Sequence, residues 1–188
     1  KGKLEDFRGA IDDFSKVIEL NPKNEDAFLN RGQAKCKLED FRGAIDDFSK
    51  VIELNPASID AYFYRGQANL LLKDFQSAID DFSKVIELNP KNEDAYFYRG
   101  VAKNALEDFQ GAIDDYSKVI QLCPTFEEAY FNRGLSTAGL EDYQDAIDDY
   151  SKVIELNPAN ENAFFNRGLA KGKLEDFRGA IDDFSKVI

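Results

Sequence analysis

Acidic residues stand side by side at regular intervals along this chain, and paired carboxylates can hold a metal ion or transfer protons. The pairs are Asp12 with Asp13, Asp46 with Asp47, Asp80 with Asp81, and the copies that follow them. Adjacent side chains on a helix point about 100° apart, so one pair is poorly placed to share an ion. The chain also has no histidine, which removes the commonest general base and the commonest metal ligand. We therefore expect no catalytic site, no metal site and no cofactor.

The composition narrows the kinds of partner and of compartment. Lys and Arg number 24 against 36 Asp and Glu, which gives a net charge of −12. Nucleic acids and anionic membrane surfaces both attract clustered basic residues, so neither is an expected partner. No apolar run reaches the roughly 18–20 residues that span a bilayer. Cys36 and Cys123 are too few for a disulfide scaffold, which favours an intracellular, cytoplasmic setting.

A single 34-residue repeat accounts for the whole chain. The string SKVIELNP stands at 15–22, 49–56, 83–90 and 151–158, and its variant SKVIQLCP stands at 117–124. We predict one array with a partial repeat at 1–24, full repeats at 25–58, 59–92, 93–126 and 127–160, and a truncated repeat at 161–188. Residues 1–18 and 171–188 are identical.

Each repeat is predicted to form two helices joined by a short turn. In repeat 25–58, Asn24 is placed to cap a first helix that runs to about Leu38, and Asp40 is placed to cap the second. Apolar residues of the second helix recur at spacings of three and four, which is one helical face. Asn55 and Pro56 should end it, because proline disfavours helix in the residue before it. The outermost second helices are predicted at about 7–20 and at 177–188.

The repeat resembles the tetratricopeptide repeat, in its period and in its order of small, aromatic and proline residues. The small residues are glycines in the first helices and alanines in the second, and we expect Gly32 to face Ala44. The resemblance covers the whole chain. It implies an all-α fold, a helix-turn-helix solenoid wound as a right-handed superhelix. In that family the first helices line a concave groove that binds extended peptides or short helices.

The resemblance places one strip of first-helix residues in that groove. The strip consists of Asp26, Leu29, Asn30, Gln33, Asp60, Phe63, Tyr64, Gln67, Asp94, Phe97, Tyr98, Val101, Glu128, Phe131, Asn132, Leu135, Phe165, Asn166 and Leu169. We expect its asparagines to hold a peptide main chain. Acids at the rim should favour an apolar or basic segment over an acidic one. Packing between neighbouring first helices is the alternative explanation for the aromatic members.

An arginine stands where the family has a leucine before the glycine, and a buried charge needs a partner. These arginines are Arg31, Arg65, Arg99, Arg133 and Arg167. The second helices offer Asp47, Asp81, Asp115 and Asp149. We therefore expect a structural ladder of Arg–Asp pairs between the helices.

The function expected from this resemblance is protein–protein recognition by a scaffold or adaptor, without enzymatic activity. The partner would be a protein or peptide. The alternative is an engineered or excised repeat array whose main behaviour is head-to-tail self-association, because second helices without a neighbouring pair leave an apolar face uncovered. A regulatory arm of a longer enzyme is a third alternative.

Overall fold

The computed structural model describes the backbone of residues 2–187 and the side chains of residues 6–187, and this part of the chain is all helical. The helices are α1 (Gly2–Leu20), α2 (Glu25–Lys37), α3 (Phe41–Leu54), α4 (Ile59–Leu71), α5 (Phe75–Leu88), α6 (Glu93–Ala105), α7 (Phe109–Leu122), α8 (Glu127–Gly139), α9 (Tyr143–Leu156), α10 (Glu161–Lys173) and α11 (Phe177–Phe184). Among them, none combines the length and apolar character that a bilayer crossing requires.

The chain divides into two compact halves, residues 1–95 and residues 96–188, with the division inside the first turn of α6. Within each half, helices that follow one another along the chain pack together. The first helices of the repeats are α2, α4, α6, α8 and α10, and the second helices are the odd-numbered ones. Each half therefore carries the same alternation of first and second helices.

The helix ends follow local signals in the sequence. Asn24 Oδ1 accepts the backbone N–H of Ala27 at 2.9 Å, and Asp40 Oδ1 accepts that of Gly43 at 3.0 Å, which confirms both predicted caps. Helix α3 ends at Leu54, directly before Asn55, as predicted. Such side-chain caps satisfy N–H groups that have no partner inside the helix.

The turn inside each repeat contains one residue in the left-handed region of backbone conformation. Its φ is 62° at Glu39, 61° at Lys73, 62° at Glu107, 63° at Glu141 and 64° at Glu175. None of these residues is glycine, so the conformation costs roughly 1–2 kcal/mol at each turn. Packing of the two helices that the turn joins must offset that cost.

The cap of α9 is an exception that a neighbouring side chain explains. Asp142 makes no side-chain cap hydrogen bond, whereas Asp40, Asp74, Asp108 and Asp176 do. A Cβ at Gly43 would collide with the capping carboxylate of Asp40. The repeats are numbered here from the first full one, 25–58, so the fourth repeat is 127–160. Asp145 takes the place of that glycine in the fourth repeat and brings both a Cβ and a second negative charge. Ser77 also brings a Cβ to this place in α5 and the Asp74 cap still forms, so the negative charge of Asp145 is the feature that opposes closure of Asp142 onto the helix end.

The core of each helix pair is an aromatic ring of the second helix seated on a glycine of the first. Phe48 and Phe82 are fully buried, and a Cβ placed on Gly66 would lie 2.9 Å from the Cζ atom of Phe82. The expectation that Gly32 faces Ala44 was wrong, because the three atoms nearest to a Cβ on Gly32 all belong to the ring of Phe48. The glycine is small because an aromatic ring, and not a second small residue, occupies the space beside it.

Tyr116 occupies the same core position in the third repeat. Its hydroxyl oxygen is the one buried side-chain polar atom without a hydrogen-bond partner among the described residues. Burial, and then the charge of Asp115, raise the pKa of this phenol well above its usual value. The ring therefore contributes to packing, as Phe48 and Phe82 do, while its hydroxyl adds no hydrogen bond.

The first and last helices differ in extent from the sequence prediction. Helix α1 begins at Gly2, several residues before the predicted start near residue 7. Helix α11 ends at Phe184, and Ile188 lies outside the described residues. Residues 1–18 and 171–188 share one sequence, yet α1 is unbroken where residues 174–176 form a turn.

Candidate functional site

Each arginine before the glycine forms a two-pronged ion pair with an aspartate sixteen residues further on. In the first full repeat, Arg31 Nη2 lies 2.6 Å from Asp47 Oδ1, and Arg31 Nε lies 3.0 Å from Asp47 Oδ2. The same pairing occurs in Arg65–Asp81, Arg99–Asp115, Arg133–Asp149 and Arg167–Asp183, where the Nη2–Oδ1 distances are 2.6–2.7 Å. All five aspartates are buried. Asp183 is the member that the sequence prediction omitted.

The same guanidinium groups also reach the preceding helix pair. Arg31 Nη1 donates to Ser15 Oγ at 3.0 Å, and Arg65 Nη1 donates to Ser49 Oγ at 3.0 Å. Arg31 also lies over the ring of Phe28, with its Cζ 5.5 Å from the centroid. One arginine thus contacts three successive helices. Sequence reasoning missed the serine, although a serine stands sixteen residues before each of these arginines in the repeated string.

The repeats differ in the second cation that meets the buried aspartate. Lys35 Nζ lies 2.7 Å from Asp47 Oδ2, and Lys103 and Lys171 take the same place at 2.8 Å from Asp115 and Asp183. The second and fourth repeats have Asn69 and Thr137 instead. Asn69 Nδ2 donates to Asp81 Oδ2 at 3.1 Å, whereas the Thr137 hydroxyl donates to the Gly134 carbonyl at 3.1 Å.

The pKa shifts of Asp81, Asp149 and Asp183 have different directions. Burial raises the pKa of Asp81 and of Asp149, and the hydrogen bonds from their arginines offset only part of that effect. Burial also acts on Asp183, but hydrogen bonds from Arg167 and Lys171 outweigh it and lower its pKa. The stability that Asp183 contributes is therefore present above the usual carboxyl pKa and lost as pH falls through its lowered value. The contributions of Asp81 and Asp149 change in the opposite direction and grow as pH falls through their raised values.

In the N-terminal half, several strip residues surround one cavity. Gln33, Tyr64 and Gln67 line a hollow of about 320 Å³ between α2, α3 and α4, together with Cys36 and Leu71. Burial raises the pKa of the Cys36 thiol, although Lys37 nearby acts in the opposite direction. Leu71 is 62% exposed at the mouth of the hollow. The cavity thus combines apolar walls with two side-chain amides.

The strip phenylalanines pack against the second helix of their own repeat. The ring of Phe63 lies 5.8 Å from that of Phe82, and the ring of Phe131 lies 5.8 Å from that of Tyr150. Phe97 contacts Tyr116 and Phe165 contacts Phe184 in the same way, and Phe97 also contacts Phe126, which directly precedes α8. These four rings are partly or largely exposed as well. Each ring thus packs against the second helix with one face and leaves part of its surface exposed to solvent.

The strip tyrosines and asparagines occupy the next position along each first helix. The ring of Tyr64 stacks on Phe48 of the preceding pair at 5.9 Å, and that of Tyr98 lies 5.5 Å from Phe97. Asn30, Asn132 and Asn166 donate to the backbone carbonyl four residues earlier, at 2.7–2.8 Å. Each of these amides therefore has one N–H already engaged within its own helix.

The remaining strip residues lie at the ends and flanks of the first helices. Asp26, Asp60, Asp94 and Glu128 are exposed in the first turns, and partial burial with the nearby charge of Glu93 raises the pKa of Asp94. Leu29, Val101 and Leu135 are half-buried, whereas Leu169 is 48% exposed. Among the described residues, no group of three or more Cys, Asp or Glu side chains could hold a metal ion.

Comparisons with known proteins agree with this geometry. Family models described as the tetratricopeptide repeat match residues 26–58, 59–92 and 93–126, and one described as the TPR repeat matches 138–175. Among solved structures, MamA shares 26% identity and a TM-score of 0.84, covering 87% of this chain and 89% of that chain. No curated protein matches this chain in sequence.

Two further solved structures share the fold at lower identity. MamA 41-end from Desulfovibrio magneticus RS-1 is 21% identical with a TM-score of 0.84, covering 87% of this chain and 92% of that chain. YrrB, a TPR protein with an unusual peptide-binding site, is 23% identical with a TM-score of 0.82, covering 93% of this chain and 90% of that chain. At these identities the likeness concerns the fold alone.

Proposed function

The chain belongs to the tetratricopeptide repeat family of protein-interaction scaffolds, and on that premise we propose that its first helices bind a peptide segment or short helix of a partner protein. The cavity between α2 and α4 is the observation that carries the proposal. Its volume of about 320 Å³ is at the low end of ligand sites, near the size that one or two side chains fill. The amides of Gln33 and Gln67 at its edge suit the main chain beside such an anchor. No catalytic role is proposed.

The chemistry of the partner follows from the charges around this strip. Asp26 and Asp60 are exposed in the first turns of α2 and α4, and the chain carries a net charge of −12. Like charges at a binding rim repel, so an acidic peptide is disfavoured. The proposed ligand is therefore an apolar or basic segment, met in an intracellular setting where Cys36 and Cys123 stay reduced.

Replacing Leu71 with glutamate tests the groove at its most exposed apolar point. The probe is a peptide selected on the wild-type chain from a displayed library of short linear sequences. The Leu71→Glu variant should bind it at least about tenfold more weakly, because a charge would replace an anchor contact worth about 1.4 kcal/mol or more. Fluorescence anisotropy gives the affinity, and thermal unfolding should be unchanged because Leu71 is largely exposed.

A matched control separates the cavity from general effects of added charge. Leu140→Glu changes another exposed leucine, which lies in the other half and does not line this cavity. It should leave the affinity unchanged. Equal loss in both variants, or full binding by Leu71→Glu, would contradict the proposed groove.

Self-association of this 188-residue polypeptide is a second candidate, which an exposed apolar face favours. Phe177 and Ile181 are 64% and 66% exposed, and together with Leu169 they line a hollow of about 530 Å³ between α10 and α11. The corresponding Tyr143 and Ile147 of α9 are half-buried, because α10 packs against α9. A second copy would cover the exposed face in the same way.

Light scattering over a wide dilution range distinguishes the monomer from the assembly. If α11 is the contact, the molar mass should climb with concentration, and Phe177→Glu combined with Ile181→Glu should return it to the monomer value. A mass that stays constant for the wild-type chain would exclude this candidate and leave the groove proposal untouched.

A further inference from the structure

Three of the five repeats hold an ammonium group of their own beside the buried aspartate. In the third repeat, Lys103 Nζ lies 2.8 Å from Asp115 Oδ2 and 3.3 Å from the Gly111 carbonyl oxygen. In the first full repeat, Lys35 Nζ lies 2.7 Å from Asp47 Oδ2 and 3.1 Å from the Gly43 carbonyl oxygen. The helix pair therefore contains a preformed ammonium position made of one carboxylate oxygen and one backbone carbonyl.

The fourth repeat keeps this position but lacks the lysine. Thr137 replaces it, and a cavity of about 350 Å³ lies between α7, α8 and α9. The residues that line it include Ile113, Ser117, Arg133, Thr137, Asp145 and Asp149. Asp149 Oδ2 accepts from Arg133 Nε at 2.9 Å but meets no lysine. The space that Lys103 fills in the third repeat is thus a hollow in the fourth.

The charges around the hollow are unbalanced. In the third repeat, Arg99 and Lys103 both pair with Asp115. In the fourth, the hollow is lined by Asp145, Asp148 and Asp149 and by one cationic side chain, that of Arg133. Two changes produce this excess, threonine in place of lysine and Asp145 in place of the glycine found at position 111. A buried carboxylate with too little positive charge nearby is unfavourable, so a cation that enters here is stabilised. Burial, with the charges of Asp145 and Asp148, raises the pKa of Asp149.

The second repeat is a weaker version of the same arrangement. It has a comparable cavity of about 370 Å³ beside Asp81. There, however, the Asn69 amide already donates to Asp81 Oδ2, and Ser77 rather than an aspartate stands at the glycine position. The fourth repeat therefore has both the more open carboxylate oxygen and the larger excess of negative charge.

We propose that the hollow beside Asp149 binds a primary ammonium group, as a lysine side chain of a partner or a linear polyamine presents it. The ligand nitrogen takes the place that Lys103 Nζ takes in the third repeat. Its three N–H groups match Asp149 Oδ2, the backbone carbonyl of Asp145 and the Thr137 hydroxyl oxygen. Ile113 provides apolar surface for the methylene stem.

This pocket lies away from the strip of the proposed groove. Arg133 lies two positions after Phe131, and Thr137 two positions after Leu135, so each points about 160° away from that strip residue around α8, since each residue turns the helix by about 100°. The inference therefore goes beyond the proposed function and stands if the groove proposal fails.

Titration with n-butylammonium chloride, followed by NMR of the Thr137 methyl and amide signals, tests the site. These signals should shift and saturate at concentrations of about 1–10 mM, the range expected for a contact of about 3–4 kcal/mol. Tetramethylammonium chloride at equal ionic strength has no N–H group and should cause no saturable shift. No saturation with butylammonium, or the same response to both salts, would overturn the proposal.

Two exchanges between repeats test the position from opposite directions. Thr137→Lys supplies the ammonium from the chain itself and should abolish butylammonium binding. Lys103→Thr should open a second site, seen as new saturable shifts at Gly111. If Thr137→Lys does not fold, Asp145→Gly keeps the hollow and should weaken binding at least about threefold by removing one negative charge. Unchanged binding in the variant that folds would overturn the proposal.

Two further probes distinguish the sources of the ammonium group. A lysine derivative with both backbone ends blocked should bind as tightly as butylammonium if a partner's side chain is the natural ligand. Spermidine should bind at least about tenfold more tightly than either if the excess of acids selects a polyamine. If neither the lysine derivative nor spermidine causes saturable shifts of the Thr137 signals, the ammonium site is contradicted independently of the butylammonium result.

Discussion

Replacing Asp81 with alanine is expected to lower the free energy of unfolding by about 3 kcal/mol, because removal of one partner from a buried ion pair costs about 3–5 kcal/mol. Asp81 is 4% exposed and accepts hydrogen bonds from Arg65 and from Asn69. The lower end of the range applies because the Arg65 side chain is 24% exposed and keeps its bond to Ser49. Urea unfolding followed by circular dichroism measures the change.

The neighbouring aspartate provides a control of equal charge. Asp80 lies on the same helix and is exposed, so Asp80→Ala should change the stability by no more than about 0.5 kcal/mol. Combining Asp81→Ala with Arg65→Leu removes both charges, and most of the lost stability should return, because a buried pair can be exchanged for apolar residues at little cost. Unchanged unfolding of Asp81→Ala would show that the ladder does not stabilise the helix pair.

Replacing Phe82 with alanine is expected to cost about 4 kcal/mol, which is typical for the removal of a fully buried aromatic ring. Phe82 has no exposed surface, and its ring fills the space beside Gly66 and Phe63. The cavity that remains cannot collapse easily, since helices α4 and α5 both pack around it. Thermal and urea unfolding should both report the loss.

A double-mutant cycle with Gly66 tests the ring-on-glycine contact itself. Gly66→Ala alone should destabilise by about 1 kcal/mol, because overpacking costs about 1–3 kcal/mol while alanine regains part of that through helix propensity. In the Phe82→Ala background the added Cβ has room and should be neutral or stabilising. Gly172→Ala is the control, since nothing lies within 4 Å of a Cβ there, and it should stabilise by up to about 1 kcal/mol. Additive effects of Gly66→Ala and Phe82→Ala would refute the contact.

The helix ends could be predicted from the sequence because they depend on residues close along the chain. Asn24 and Asp40 each accept a hydrogen bond from the backbone N–H of a residue three positions further on, so each cap depends only on a segment of four residues. The contact of Gly32 with Phe48 is different, because it depends on the rotamer of an aromatic side chain and on how the two helices cross. The serine bond of Arg31 depends on the preceding helix pair and could not be read from one repeat.

The candidate site was less predictable than the fold. Helical spacing placed Phe63 outside the buried stripe, but the ring turns toward its own second helix and contacts Phe82. Spacing likewise could not show that Asn30 bonds to its own helix. The hollow beside Asp149 could be recognised only from the structure, which shows that Lys103 forms an ion pair with Asp115. Thr137 stands at the position of Lys103 in the next repeat, so the sequence alone does not show that a cation is missing there.

The left-handed turn residues have a consequence for the order in which this chain acquires structure. Residues 3–22 and 37–56 have one sequence, yet Glu5 lies within α1 whereas Glu39 has a φ of 62°. This local sequence is therefore compatible with one continuous helix. The turn at Glu39 requires, in addition, that two helices pack against each other. During synthesis or refolding, helix growth takes roughly nanoseconds per residue, while closing each hairpin must wait for its two helices to collide. Helicity should consequently rise before the aromatic side chains become buried. Closure of each helical hairpin should be the cooperative step, because it forms the contact of the aromatic ring with the glycine and the ion pair of the arginine.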